Sequence, residues 1–156
     1  DIRLPSSLSV GSFSHWGTER FEVEVIEASA RYTLIDVTGA YEGERLLTSG
    51  GPISLVITTE GAWWVTISPL GFTEEPSFAG TGDAVSAIFT PPADGPWTVE
   101  HRDRGPITVL LQCTDGPQVI VEDSAQDEQT VDVKFGQAQC FWEVKAHGAW
   151  KLAKAE

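Results

Sequence analysis

Alternation of apolar and polar residues with a period of two constrains the fold of this chain more than any other feature. Residues 21–25 read Phe-Glu-Val-Glu-Val, and residues 63–67 read Trp-Trp-Val-Thr-Ile. Such alternation is typical of half-buried β-strands. Gly, Pro, Asp and Ser break these runs about every ten residues, a spacing typical of antiparallel hairpins in a sandwich. We therefore predict an all-β fold made of small antiparallel β-sandwich modules.

The sequence also contains an internal repeat. A shift of 65 positions places Tyr32-Thr33-Leu34 on Trp97-Thr98-Val99. Toward the carboxyl ends the shift becomes 87, which places Gly61-Ala62-Trp63 on Gly148-Ala149-Trp150. Self-similarity of this kind indicates two copies of one structural unit. We expect two modules that each close on a Gly-Ala-Trp turn and pack on each other.

The difference of 22 residues between the two shifts predicts an extra hairpin in the second module. We place the modules at 1–70 and 71–156, and the inserted hairpin within Ile107 to Ile120. Cys113 lies in that segment, and Cys140 lies in the strand before the closing turn. An even number of cysteines at this spacing favours one disulfide over two buried free thiols, and a disulfide is typical of an oxidising, extracytoplasmic compartment.

The charge of the chain restricts its partners. The formal net charge is −13, so most of the surface should repel the phosphate backbone of a nucleic acid. The chain lacks an apolar run of about 18 residues, the length that a transmembrane helix needs. It starts at Asp1 and contains no methionine, from which we expect a mature product or a fragment. The expected partner is a protein or another cell-envelope component.

Both halves share an order of features: a Gly-rich start, a strand ending in aromatic-Thr-aliphatic, and a penultimate strand that turns through Gly-x-Trp into the last strand. This order resembles bacterial secreted and lipoprotein β-sandwich modules, many of which come from actinobacteria. The resemblance covers nearly the whole chain. It implies a non-catalytic pair of modules that binds a partner or spaces other domains. We expect no cofactor.

Four of the six tryptophans are expected in the core. Trp63 and Trp150 occupy equivalent positions in the repeat, Trp97 aligns with Tyr32, and Trp142 alternates in phase with apolar neighbours. Burying a ring of this size contributes on the order of 2 to 3 kcal/mol. These four side chains need no ligand to explain them.

Trp16 and Trp64 are the candidate ligand residues. Their counterparts in the repeat are Thr81 and Lys151, so the shared frame does not require an aromatic ring at either position. Three interpretations stay open: the rings fill the interface between the modules, they contact a partner protein, or they stack on a sugar ring. The last interpretation would make the chain a carbohydrate-binding module.

A run of carboxylates in the second module suggests calcium as a further hypothesis. Glu122, Asp123, Asp127 and Glu128 lie in a segment without Lys or Arg, and calcium takes six to eight oxygen ligands. The DxDxDG spacing is missing, however. A solvated acidic loop at a strand end explains the same residues, and no metal is predicted.

Catalytic motifs are missing from the sequence. His15, His101 and His147 follow neither HxH nor HExxH spacing, and we expect all three at the surface. No serine lies in a GxSxG elbow. A pair of carboxylates could act as in a glycosidase only within a cleft, which modules this small rarely enclose. We therefore predict that the protein is not an enzyme.

Overall fold

The computed structural model describes residues 2–103, 105–136 and 138–156, and these residues form β-strands and no helix. The all-β prediction is confirmed. In chain order the strands are β1 (Ile2–Arg3), β2 (Leu8–Trp16), β3 (Arg20–Glu27), β4 (Ala30–Thr38), β5 (Tyr41–Thr48), β6 (Pro52–Thr58), β7 (Ala62–Pro69), β8 (Phe72–Thr73), β9 (Phe78–Thr81), β10 (Ala84–Val85), β11 (Ile88–Phe89), β12 (Gly95–His101), β13 (Ile107–Cys113), β14 (Gly116–Ser124), β15 (Glu128–Val133), β16 (Cys140–Lys145) and β17 (Ala149–Lys154).

The chain divides into two compact units, Asp1–Leu70 and Gly71–Glu156, each with its own hydrophobic core. Unit 1 has two antiparallel sheets with strand orders β1-β6-β3-β4 and β5-β2-β7. Their inner faces share one cluster, in which Phe13 and Leu47 of the smaller sheet meet Phe21, Val23 and Val25 of the larger one. Unit 1 is therefore a β-sandwich, and its core strand β3 alternates inward and outward as its sequence predicts.

Unit 2 is also a two-sheet sandwich. One sheet has the order β14-β13-β16-β11-β8, with β10 pairing to β16, and the other has the order β15-β12-β17-β9. All pairings are antiparallel except that of β8 with β11. Aromatic rings fill its core: Trp97 and Trp142 lie 5.4 Å apart between ring centroids, and Phe135 contacts both edge-on. Aromatic pairs tilted in this way are favourable beyond their buried area.

The structure contains the disulfide between Cys113 and Cys140. β13 and β14 form a hairpin, and the two cysteines lie directly opposite each other where β13 pairs with β16. Their Cα atoms are 4.2 Å apart, the close spacing of a pair without mutual backbone hydrogen bonds. The disulfide therefore joins the hairpin to β16, and the prediction is confirmed.

The two units share the register of their closing strands. In unit 1, Ala62 of β7 lies opposite Trp16 of β2; in unit 2, Ala149 of β17 lies opposite Thr81 of β9. These are the positions that the two shifts equate. The other pairings differ, because β4 pairs with β3 whereas the aligned strand β12 pairs with β15 and β17. An internal repeat over the whole chain stays a prediction.

Three of the four expected core tryptophans are buried, and the fourth is not. Trp97, Trp142 and Trp150 are almost inaccessible, whereas Trp63 is 47% exposed, so its assignment to the core was wrong. The reason lies in the residue opposite each ring. Trp150 lies opposite Gly80, where the missing side chain leaves room for the indole, but Trp63 lies opposite His15, which fills that space. β7 is also an edge strand, so no further strand covers Trp63.

Removing the disulfide should destabilise unit 2. The cysteines are 27 residues apart, and closing a loop of this length stabilises a fold by about 3.5 kcal/mol in the chain-entropy model. We expect Cys113→Ala/Cys140→Ala to lower the free energy of unfolding by about that amount. Urea denaturation followed by tryptophan emission reports mainly on unit 2, since three of its rings are buried. Dithiothreitol should lower the urea midpoint of the wild-type protein and leave the midpoint of the variant unchanged. Equal midpoints for the two proteins without dithiothreitol would contradict the prediction.

Candidate functional site: the tryptophan face

Strict alternation along β2 sends one set of its side chains into the core of unit 1 and the other set outward. Ser9, Gly11, Phe13 and His15 are buried, and the residues between them point to the opposite face. Gly11 is required here, because a Cβ atom at this position would lie 2.6 Å from the Phe13 ring. The next residue after His15 is Trp16, which therefore faces outward.

Strand register brings Trp16 and Trp64 onto the same outer face. Trp16 lies opposite Ala62 and Ser14 lies opposite Trp64, so the two tryptophans occupy diagonal positions on β2 and β7. Diagonal neighbours lie about 7 Å apart, within reach of aromatic side chains. Trp16 is 65% exposed and Trp64 is 63% exposed. The structure thus unites the two residues that the sequence singled out.

Polar residues surround these two rings. Ser14 lies between Trp64 and Glu42 across the three strands, and Ser12 lies between Thr66 and Glu44 in the next row. We call the set Trp16, Trp64, Ser12, Ser14, Thr66 and Glu42 the tryptophan face. Sequence reasoning missed its polar members, because only the register of β5, β2 and β7 shows which residues share a row. The alternation within each strand could have shown that these residues lie on the outer face, but not which of them are neighbours across strands.

The tryptophan face is acidic. Two carboxylates, Glu42 and Glu44 of β5, lie at the outward positions of β2, β5 and β7, and neither Lys nor Arg does. On the other sheet of unit 1, by contrast, arginines are bound to carboxylates: Arg20 to Asp36, and Arg31 to Glu24. Hydrogen bonds from these guanidinium groups lower the pKa of Asp36 and of Glu24. Arg20 and Arg31 are therefore paired within that sheet, and Arg45 of β5 lies opposite the buried Gly11, at an inward position rather than on the tryptophan face.

His15 holds the end of the sandwich on which Trp16 lies. Its Nδ1 donates to the carbonyl of Gly39 at 2.9 Å, its Nε2 lies 3.0 Å from the Thr59 hydroxyl, and the ring stacks on Phe21. The amide of Gly61 donates in turn to the Thr59 hydroxyl. In the neutral imidazole that donates from Nδ1, Nε2 accepts the proton of the Thr59 hydroxyl. The expected surface position of His15 was wrong: both ring nitrogens are bonded, so the imidazole is buried at low cost.

The other two histidines have different positions. His101 is buried against the expectation, and its Nε2 donates to the carbonyl of His147 at 2.8 Å. His101 lies opposite Trp150, so it fixes the closing turn of unit 2 much as His15 fixes that of unit 1. His147 is exposed, as expected. None of these contacts points to acid–base chemistry.

The four carboxylates of the calcium hypothesis fall into two separate structural settings. Glu122 and Asp123 lie in a bulge of β14, where Asp123 exchanges hydrogen bonds with the Thr108 hydroxyl. Asp127 precedes β15, and its carbonyl accepts a hydrogen bond from the His101 amide. Within the described ranges, no group of three or more His, Cys, Asp or Glu side chains is arranged to hold a metal ion. The bulge gives Glu122 and Asp123 a structural explanation.

Asp127 and Glu128 also line a cleft of about 440 Å³ in unit 2. Its other lining residues are Glu100, His101, Arg102 and Asp103. Among the residues that the structure describes, the cleft lining combines carboxylates with the Arg102 guanidinium group, which lies 3.8 Å from Glu100. It contains no arrangement of nucleophile and base among the described residues.

Comparison with known proteins adds no family to this description. No protein-family model matches the chain, and no curated protein matches it either. The part of the chain that the structure describes contains no helix that is long and apolar enough to cross a membrane.

Adding one methyl group at Gly61 should destabilise unit 1. A Cβ atom there would lie 2.5 Å from Nε2 of the buried His15. We expect Gly61→Ala to cost about 1 to 3 kcal/mol, the usual effect of overpacking. Gly51→Ala is the matched control, because a Cβ atom at that position meets nothing within 4 Å. Urea denaturation followed by far-ultraviolet circular dichroism measures both variants, and equal midpoints would refute the role of His15 in the closing turn.

Removing the exposed indoles should change stability little. We expect Trp16→Ala and Trp64→Ala each to alter the free energy of unfolding by less than about 1 kcal/mol, since surface substitutions away from the core are usually small. Trp142→Ala, which empties a buried site, should cost about 3 to 5 kcal/mol. Thermal denaturation compares the three variants. A loss at Trp64 as large as that at Trp142 would show that the Trp64 ring is a packing element.

Proposed function

We propose that this protein is a non-catalytic, extracytoplasmic binding module pair that captures a cell-envelope component through the tryptophan face. One observation carries the proposal: Trp16 and Trp64 occupy diagonal positions on one sheet face, and each is more than 60% exposed. Large apolar groups exposed together commonly mark interaction sites. Tryptophan is also among the residues that contribute most to binding energy at interfaces.

The geometry of unit 1 supports a preformed site. Trp16 follows His15, which is fixed by a hydrogen bond at each ring nitrogen, and Trp64 is paired to Ser14 on the neighbouring strand. Backbone positions set by a sheet ladder lose little entropy on binding, because they are ordered beforehand. A rigid sheet that presents two indoles suits a module whose task is capture.

The disulfide supports the proposed location, and the charge restricts the ligand. Cys113 and Cys140 are bonded, and disulfides persist mainly in oxidising compartments. The net charge of −13 opposes binding to nucleic acids. The resemblance to secreted bacterial modules adds the expectation of a non-catalytic role, in which the second unit spaces or supports the binding unit.

The proposal is tested by presenting wild-type protein to two panels, a glycan array and a phage-displayed peptide library. We expect at least one ligand in one panel, bound at least tenfold more weakly by Trp16→Ala/Trp64→Ala. Phe72→Ala is the matched control, because Phe72 is an exposed aromatic residue of unit 2 outside the tryptophan face. Melting temperatures establish that each variant is folded. Binding that survives in the double variant, or no binding in either panel, would contradict the proposal.

A further inference from the structure

We propose that the ligand of the tryptophan face is an uncharged glycan, a short stretch of neutral hexopyranose units. The inference rests on the proposed function and names the chemical class that this face recognises. It follows from the size of the face, from the groups that line it and from their charge.

The face is small. β5, β2 and β7 lie side by side, so the backbones of Glu42 and Trp64 are about 10 Å apart across two strand spacings. Trp16 and Ser12 are separated by four residues along β2, or about 14 Å. The part of the sheet that holds both indoles, the two serines and Glu42 therefore measures about 10 by 14 Å, which matches one or two sugar rings.

The lining groups match the two surfaces of a sugar ring. A pyranose presents C–H groups on its faces and hydroxyl groups at its edge. The Trp16 and Trp64 indoles offer flat apolar surfaces for the C–H groups. Ser12 and Ser14 are short, so they leave the surface of β2 between β7 and β5 open to a flat ligand. Their hydroxyl groups can both donate and accept hydrogen bonds.

Glu42 completes the edge opposite Trp64. Its exposed side chain lies in the same row as Ser14 and Trp64, on the far strand. A carboxylate accepts hydrogen bonds from neutral hydroxyl groups, and such charge-assisted bonds are shorter and stronger than neutral ones. A ring stacked on Trp64 and extending across Ser14 would therefore direct its hydroxyl groups at Glu42.

The charge of the face excludes acidic sugars. Outward positions on β2, β5 and β7 provide no Lys or Arg to pair with a uronate or a sulfate. Such groups would instead meet Glu42 and the field of a chain with net charge −13. A neutral glycan avoids this repulsion, and its binding should hardly depend on ionic strength, because screening acts on charges.

Affinity electrophoresis and isothermal titration with the full chain test the inference. The probes are neutral hexose oligosaccharides (cello-, manno- and N-acetylchito-oligosaccharides), acidic hyaluronan and alginate, basic chitosan, and any peptide recovered from the phage library. We expect binding of at least one neutral oligosaccharide. Its affinity should change less than twofold between about 0.05 and 0.5 M salt.

Single variants then locate the bound sugar. Trp16→Ala and Trp64→Ala should each weaken binding about tenfold, by loss of a stacking surface. Glu42→Gln should weaken it about fivefold, because a neutral acceptor replaces a charged one. Glu74→Gln removes the same charge from an exposed site of unit 2 and should leave the affinity unchanged.

Each alternative result has a distinct meaning. Preference for hyaluronan, alginate or chitosan over all neutral sugars would overturn the inference, as would full affinity in Glu42→Gln. Tryptophan-dependent binding of a peptide with no glycan bound would also overturn it, while the proposed function would stand. Absence of any tryptophan-dependent ligand would contradict both the glycan inference and the proposed function.

Discussion

The chain of hydrogen bonds through His15 is the interaction on which unit 1 depends. Gly61 donates to Thr59, Thr59 donates to His15, and His15 donates to the carbonyl of Gly39. These bonds tie the end of β2 to the turns before β5 and β7. They also fix the direction of the neighbouring side chains, since a buried imidazole leaves no inward space for Trp63 and sends Trp16 to the outer face. The tryptophan face is thus a consequence of how this end is closed.

Unit 2 closes on the same Gly-Ala-Trp sequence, but through different contacts. Gly148 adopts a left-handed conformation with φ of 68°, a region that favours glycine. Trp150 packs over Gly80 and donates its indole N–H to the carbonyl of Gly82. Gly61 is absent from the positive-φ positions of the described chain, and it is needed because a side chain would meet His15. One sequence motif therefore has two physical explanations, and only one copy leaves exposed aromatic rings beside it.

Local sequence patterns predicted much of this fold, because strands and turns depend mainly on residues that are close together in the sequence. The alternation of β3, the hairpin that contains Cys113, and the pairing of that cysteine with Cys140 all follow from period, turn residues and cysteine count. The patterns failed where burial depends on a residue from another strand. The sequence around Trp63 and His15 does not show how buried each side chain is. We expected a buried Trp63 and an exposed His15, but His15 is buried and Trp63 is half exposed.

By itself, the sequence determined the all-β class, favoured the disulfide and singled out Trp16 and Trp64 as candidate ligand residues. The tertiary structure alone decided that these two rings lie diagonally on one sheet face, with Ser14 and Glu42 in the same row. The physical reason is that side-chain alternation is encoded within one strand, whereas register depends on how three strands distant in sequence hydrogen-bond to one another. A binding face made across strands becomes visible only after that pairing is known.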